Sequence, residues 1–320
     1  MKAVPMPAPM ISVVVPTFDR PGSLDECLRA LAGQTLDPAR FEVIVSDDGS
    51  PVPVAESLRA TLNELSGRIT IRVLRQANAG PAAARNEGAA AAAGEFLAFT
   101  DDDCRPTPDW LERLLDRLER NPNSLVGGAL RATPGADPYA RANQAIMEFV
   151  YFDQERQAGL RLFSTSNLSI AAGGFRRIGG FSTDFRQAAG EDYDLCARWF
   201  ASGGDTLYVP DAVVMHHHPL RFVAYVRQHM TYGRGLLRMR RRMRHSGGAM
   251  TRPGSRVVPG QFYLRLIVSP VATRGMSGLS CAALIALAQA ATATGALGAR
   301  LFPVRTETAA ARDGEVKGLS

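Results

Sequence analysis

Residues 94–104, "GEFLAFTDDDC", set the apolar run from Phe96 to Phe99 almost directly before three consecutive aspartates, Asp101, Asp102 and Asp103. Like charges about 4 Å apart repel by roughly 1 kcal/mol in water and about 4 kcal/mol at an effective dielectric of 20. A wet turn tolerates that repulsion, and a bound cation relieves it. The surrounding chain decides between the two.

Upstream, residues 11–15 and 41–45 are β-branched runs that read as buried strands, the first stopped by Pro16. Between them Ser23-x-x-Glu26 offers a capping box, and Leu24, Leu28 and Leu31 recur at helical spacing. A third strand is expected over 69–74. Pro81 then starts a helix that Gly94 stops, and residues 95–100 form a fourth strand. Alternation of this kind predicts an α/β fold, Rossmann-like, with a mainly parallel sheet, right-handed crossovers and helices on both faces. Ligands of such sheets bind at the carboxyl ends of the strands. Three of those ends carry "PTFDR", "SDDGS" and "TDDDC", so the aspartates converge on one crevice.

Downstream, Thr107 can cap and Pro108 can start a helix whose Trp110, Leu111, Leu114, Leu115 and Leu118 form one apolar stripe. "SLVGGALRA", "STSNLSIAA" and "TLYVPDAVVMH" read as further strands around a glycine-rich loop leading into "GEDYDLCARW". This domain is expected to span 11–220, after an N-terminal extension over 1–10. Residues 221–320 differ in kind, forming a small, mostly helical, basic and alanine-rich region with a flexible tail from about 303. Six arginines fall within 234–244, interleaved with Leu236, Leu237, Met239 and Met243. No charged residue occurs over 275–299, long enough for a span, but the alanine-rich composition favours a helix that contacts a membrane or packs.

The chain of 320 residues, 46% hydrophobic and 21% charged, has the composition of a folded protein. Its net charge of +6 is uneven: the arginine run suits phosphates or anionic lipid headgroups, and the acidic clusters suit a cation. No recognised nucleic-acid module accompanies the run, so no nucleic acid is expected. The four cysteines are scattered with no C-x-x-C pair, which argues against zinc and disulfides. The N-terminus does not read as a signal peptide. Residence in the cytoplasm, peripheral on the cytoplasmic face of the plasma membrane, is the expectation.

Neither G-x-G-x-x-G nor G-x-x-x-x-G-K-[ST] is present, which turns the reading away from dinucleotide and P-loop chemistry. Mg²⁺ and Mn²⁺ take one or two carboxylates together with substrate phosphates. Glu191 and Asp192, at the start of a helix, supply a candidate base; helix capping is the plainer role for Asp192.

The ordered set "ISVVVPTFDRPGSL", "EVIVSDDGS", "NAGPAAARNEG", "GEFLAFTDDDCRPTPDWL", "SNLSI", "GGFSTDF" and "GEDYDLCARW" resembles family 2 glycosyltransferases of the GT-A fold, over roughly 11–220. The resemblance implies an inverting transfer from a nucleoside-diphosphate sugar to an acceptor hydroxyl, on a glycan or lipid-linked acceptor for a cell-surface polysaccharide or glycolipid, with Mn²⁺ or Mg²⁺. It implies a nucleotide-sugar half over 11–103 and an acceptor half over 104–220. Pro16, Thr17, Phe18 and Arg20 would line the nucleotide pocket, Asp48 would bond the base, and Arg85 and Asn86 would lie near the nucleotide. Asp101 and Asp102 would face the donor, Asp103 with Asp101 the metal, and Asp192 would be the base with Glu191 beside it. Of "MHHHP", strand alternation puts His216 and His218 on one side, with His216 the first candidate for the metal. Two departures stand out: "AAGGFRRIGG" weakens the helix expected after "SNLSI", and "PTFDR" has Phe18 and Asp19 where tyrosine and asparagine are frequent. A metal-dependent phosphohydrolase or nucleotidyltransferase, or a non-catalytic nucleotide-sugar binding protein, would use the same acidic crevice.

Overall fold

The β-branched runs become the buried centre of an eight-stranded sheet. The computed structural model describes residues 8–155, 160–185, 189–245 and 260–301; most of the N-terminal extension and the tail from 303 lie outside them. The strands are β1 (Ile11–Thr17), β2 (Phe41–Asp47), β3 (Thr70–Arg75), β4 (Phe96–Phe99), β5 (Cys104–Pro106), β6 (Ser124–Ala132), β7 (Leu168–Ala171) and β8 (Asp205–His216). Their order across the sheet is β3-β2-β1-β4-β7-β6-β8-β5. The β3-β2-β1-β4 half is parallel, as alternation with helices demands. Beyond β4 the sheet is mixed: β7 runs antiparallel to β4 and β6, and β5 antiparallel to β8, while β6 and β8 are parallel. The mainly parallel character read from the sequence therefore holds through the first half and again between β6 and β8, with β7 and β5 reversed.

This topology assembles the edge that matters. Thr17, Asp47 and Arg75 are register partners at the carboxyl ends of β1, β2 and β3. Because β7 is reversed, its amino end meets the carboxyl end of β4, with Leu168 opposite Phe99. The carboxyl end of β8 reaches the same edge, where His216 pairs with Cys104.

Helices α1 (Pro21–Ala32), α2 (Val54–Ser57), α3 (Arg59–Leu65), α4 (Pro81–Ala91), α5 (Trp110–Arg120), α6 (Pro138–Glu155), α7 (Ala172–Arg177) and α8 (Glu191–Ala201) accompany the sheet. Alternation along β1 sends Ile11, Val13 and Val15 into a core shared with α1 and α5, and Val14 into a second core with α4, α7 and α8. The apolar stripe of α5 is fully buried. Three local expectations are corrected. Pro21 already starts α1 and no side chain caps it, so Ser23 lies inside the helix and Glu26 pairs with Arg105. Helix α5 begins at Trp110, with Asp109 at its cap and Thr107 donating to Asp109. "AAGGFRR" does form a helix, of six residues only.

The remainder is α9 (Phe222–His245), α10 (Gly260–Arg274) and α11 (Leu279–Leu301), with a third core in which Tyr225, Leu266, Ile285 and Ala288 meet Ala142 of α6. That core is built from both sides of residue 220. Helices α10 and α11 pack on each other across a turn at Gly275, whose φ is +60°. The stretch is long and apolar enough to cross a membrane by length and composition, and α11 packs along α9. Close approach of those two helices rests on glycine: a Cβ at Gly295 would overlap the Met230 carbonyl, and one at Gly233 the Thr292 carbonyl. Leu236 and Met239 line the interior cleft. The side chains of Arg240, Arg241, Arg242, Met243 and Arg244 lie outside the described residues.

Gly295→Val should lower stability by about 1–3 kcal/mol through overpacking. Gly298→Ala, with open space around it, should instead raise it by roughly 0.5–1 kcal/mol. Urea titration of both variants checks this, and equal stability would remove the glycine contact as the determinant.

Candidate active site

The strand ends open into a cleft of about 1610 Å³. Pro16, Thr17, Phe18, Arg20, Asp48, Arg85, Asp101, Asp102, Asp103, Glu191, Asp192, His216 and His218 all line it. Of the residues read from the sequence, Asn86 is not among them. Its amide donates to the Phe181 carbonyl (2.8 Å) and accepts from the Phe181 N–H (2.9 Å), closing a structural clamp.

The aspartates divide into separately compensated positions. Asp47 is fully buried and braces the loop after β2, accepting from the N–H groups of Ser50 and Val54 and from Arg75 (2.8 Å). Asp48 accepts from Gln76 (2.6 Å) and from the N–H groups of Ala79 and Gly80 (2.9 Å each), which ties the loop before α4 to β2. Asp101 receives Arg85 and the Ser166 hydroxyl, both at 2.6 Å, so both its oxygens are engaged away from His216. Asp102 receives the Thr17 hydroxyl (2.7 Å) and Arg20 (3.2 Å). Burial nevertheless pushes its pKa up to about 6, with Thr17 and Arg20 opposing.

Asp103 sits between two imidazoles. His216 Nε2 lies 3.2 Å from one carboxylate oxygen, and His218 Nδ1 lies 3.1 Å from the other, which Arg20 also approaches at 3.1 Å. The two rings stack 5.5 Å apart and nearly parallel, at 2°. Burial alone would raise the Asp103 pKa, but the hydrogen bonds and charges of the histidines hold it well below the usual carboxylate range. Burial alone would lower His216, and Asp103 outweighs it and raises His216. Asp103 and His216 offer oxygen and nitrogen donors on one side of the cleft, within 4.8 Å of each other and of Cys104. Burial and the neighbouring aspartates push the Cys104 thiol well up. The carboxylate–imidazole pair fits a divalent ion that draws its remaining ligands from phosphate and water.

A hydrogen-bond chain extends from this pair into the helices. With His218 Nδ1–H donating to Asp103, its Nε2 accepts from Gln228 (3.3 Å). Gln228 accepts from Asn143 (2.9 Å), and His229 Nε2 lies 2.9 Å from the Asn143 carbonyl oxygen. Burial pushes His229 down to about 4, leaving it neutral with one N–H to give. His218 was foreseeable from its alternation with His216. Asn143, Gln228 and Ser166 carry no local signal.

At the far wall, α8 begins at Gly190, whose φ of +91° permits the turn. Gly190 is the cap and no side chain caps the helix, so Asp192 is not spent on that role. Asp192 accepts from the Tyr193 N–H (2.8 Å). Burial first, and the neighbouring Glu191 second, push its pKa up to about 8, against the pull of Arg85. Glu191 accepts from Arg85 (3.1 Å) through one oxygen, while the other is buried with no hydrogen-bond partner among the described residues. Arg85, itself buried, bonds Asp101 with one end of its fork and Glu191 with the other. It is a bridge between the triplet and α8, and it lines the cleft in which the nucleotide contact was expected.

A mixed sheet with a parallel first half, an acid-lined crevice at its strand ends and a helical C-terminal region define a GT-A-type α/β protein. Residues 12–179 match the description "Glycosyl transferase family 2" and residues 96–296 "Glycosyl transferase family group 2". The chain belongs to glycosyl transferase family 2. It is 32% identical over 236 residues to validoxylamine A glucosyltransferase of Streptomyces hygroscopicus subsp. limoneus, covering 63% of this chain and 51% of that one. It is 31% identical over 230 residues to pre-mycofactocin glycosyltransferase of Mycobacterium tuberculosis, covering 70% and 46%. The chain thus spans about half the length of these relatives. Among solved structures, the mannosyltransferase PcManGT of Pyrobaculum calidifontis, in complex with GDP-Man and Mn²⁺, superposes with a TM-score of 0.59 at 23% identity, covering 93% of this chain and 81% of that one. S. aureus TarS 1-349 in complex with UDP gives 0.52 at 16% identity, covering 89% and 88%. Both share the fold.

Arg85→Met should cost about 3–5 kcal/mol, the usual effect of stripping one partner from a buried ion pair. Arg85→Lys keeps the charge but not the fork and should fall between. Urea unfolding measures both, and a Met variant as stable as the parent would show the bridge to be idle.

Proposed function

We propose that this protein is an inverting glycosyltransferase that moves a sugar from a nucleoside-diphosphate sugar to an acceptor hydroxyl, on a glycan or lipid-linked acceptor used for a cell-surface polysaccharide or glycolipid. One observation carries the reading: an Asp103–His216 pair suited to a divalent cation and a carboxylate of raised pKa, Asp192, line the same cleft. The nucleotide would enter between Pro16, Thr17, Phe18 and Asp48. PcManGT and TarS were solved with GDP-Man and UDP, which supports a nucleotide-linked donor.

Asp103 and His216 would hold Mn²⁺ or Mg²⁺, which when bound neutralises charge on the departing diphosphate. Arg20, already on Asp102 and Asp103, adds positive charge beside it. Asp192 takes the proton of the acceptor hydroxyl as that oxygen bonds to the anomeric carbon, and the electron pair of the broken bond leaves with the nucleoside diphosphate. A single displacement inverts the anomeric centre. Glu191, held by Arg85 with one oxygen unpartnered, is placed to orient the acceptor. A base with a pKa near the working pH balances availability against driving force. Release of phosphate or pyrophosphate in place of nucleoside diphosphate would favour the phosphohydrolase or nucleotidyltransferase reading. A binding protein would have no use for Asp192.

Asp192→Asn should retain nucleotide binding while transfer falls roughly 10²–10⁴-fold. In the parent, kcat/KM should rise as pH increases through about 8, because the base works only when deprotonated. Calorimetry with a nucleotide-sugar panel, with and without Mn²⁺, should give metal-dependent binding that Asp103→Ala abolishes. Metal-independent binding unchanged in that variant would sink the assignment.

Peripheral residence on an anionic membrane belongs to the same reading. Leu264, Val268, Met276, Leu279, Leu297 and Leu301 are exposed on α10, α11 and the turn between them, with Arg274 at the end of α10 and Arg300 in the last turn of α11. Flotation with anionic liposomes should be reduced at least tenfold by Leu264→Asp with Leu297→Asp; unaltered flotation would place the contact elsewhere.

A further inference from the structure

No side chain caps α8, whose first turn carries Glu191 and Asp192, so the place of that turn is set from outside the helix. The contact comes from α9. A Cβ at Gly235 would overlap the Ala189 carbonyl and lie 2.7 Å from the Ala189 Cβ, and one at Gly190 would lie 3.2 Å from the Gly235 carbonyl oxygen. Backbone thus presses on backbone immediately before Glu191. One turn further along the same face of α9, Arg238 Nη1 donates to the Asp184 carbonyl (3.2 Å), and its guanidinium lies 5.8 Å from the centre of the fully buried Phe185 ring. Helix α9 therefore touches the approach to α8 at two places, Asp184–Phe185 and Ala189–Gly190.

Gly233 supplies the contrast. It stands two residues earlier on α9, about 200° round the helix, and a Cβ there would overlap the Thr292 carbonyl of α11. The two glycines serve opposite faces: Gly233 admits α11, and Gly235 admits the turn before α8. Ala189, Gly190, Glu191 and Asp192 line the cleft in succession, so a displacement at Ala189 is carried along the backbone to Asp192.

We propose that Gly235, assisted by Arg238, is a positioning residue for Asp192: α9 sets the depth at which the first turn of α8 enters the cleft. What Asp192 does there rests on the transferase reading; where it stands does not. The helical region after β8 thereby acts on the far wall of the cleft through the backbone of α8, without touching substrate itself.

The test follows the Asp192 carboxyl by ¹³C NMR of the full chain labelled at aspartate, with the resonance assigned by its loss in Asp192→Asn. In the parent it should titrate at about 8, held up by burial first. Around it stand Glu191, Tyr193, Arg85, Asp101, Tyr151 and Tyr232, all of which the variants leave in place. Gly235→Ala should lift the first turn of α8, admit water and lower the titration by roughly one unit or more. Arg238→Met should lower it by less; loss of a positive charge alone would raise it, so the direction separates seating from charge. Gly233→Ala should weaken the fold towards urea and leave the titration where it is. An Asp192 titration unmoved by both Gly235→Ala and Arg238→Met would overturn the proposal. So would an equal shift in Gly233→Ala, the mark of general loosening. Should Gly235→Ala fail to fold, Arg238→Met and Gly233→Ala carry the same decision. With the nucleotide sugar that binds best, Gly235→Ala should lower kcat for release of nucleoside diphosphate roughly 10–100-fold at unchanged KM, and an unchanged kcat would also overturn it. A parent that releases nucleoside diphosphate from no nucleotide sugar would sink the transferase reading and leave the titration result standing.

Discussion

Carboxylates crowded into one cleft cannot remain there uncompensated, and much of the architecture answers that electrostatic demand. Asp101, Asp102, Asp103, Glu191 and Asp192 all line it. Arg20 serves two members of the triplet and Arg85 joins the third to Glu191, while His216 and His218 bracket Asp103. The compensation is uneven by design of the fold: Asp103 is held strongly ionised, whereas Asp192 is left to burial and a like-charged neighbour. Those opposite environments suit the two different roles proposed for Asp103 and Asp192, since contrasting surroundings are how a site assigns two roles to one residue type.

The mixed half of the sheet has a physical purpose in this light. An all-parallel continuation would bring only strand ends to the crevice. Reversing β7 brings the start of a strand there, and with it Ser166, which bonds Asp101. The neighbouring Asn167 is fully buried, accepts from Trp110 and donates to the carbonyls of Ala129 and Ala212, so one amide joins α5 to β6 and β8. "SNLSI" thus supplies a site contact and a structural joint from adjacent positions.

What the sequence disclosed follows from how local each signal is. The central strands and the α5 stripe were legible because buried β-branched runs and 3.6-residue spacing are local patterns. The aspartate triplet was legible because strand-end position is a rule of topology. Ser23 and Glu26 misled because Pro21, two residues earlier, already fixes the helix start. Arg85 and Asn86 are neighbours on a helix and therefore point about 100° apart, one to the carboxylates and one to the Phe181 backbone. Their division is tertiary and leaves no trace in "AARNEG". The same holds for Asn143 and Gln228, 85 residues apart in sequence and 2.9 Å apart in space.

The chain of amides and imidazoles running from Asp103 through His218, Gln228 and Asn143 to His229 redraws the minimal working unit. A fragment ending at residue 220 keeps every strand, the aspartate triplet and Asp192. It loses Gln228, the group that fixes which way the His218 ring presents its nitrogens. Divergence in the helices after β8 therefore reaches Asp103 by way of the His218 ring.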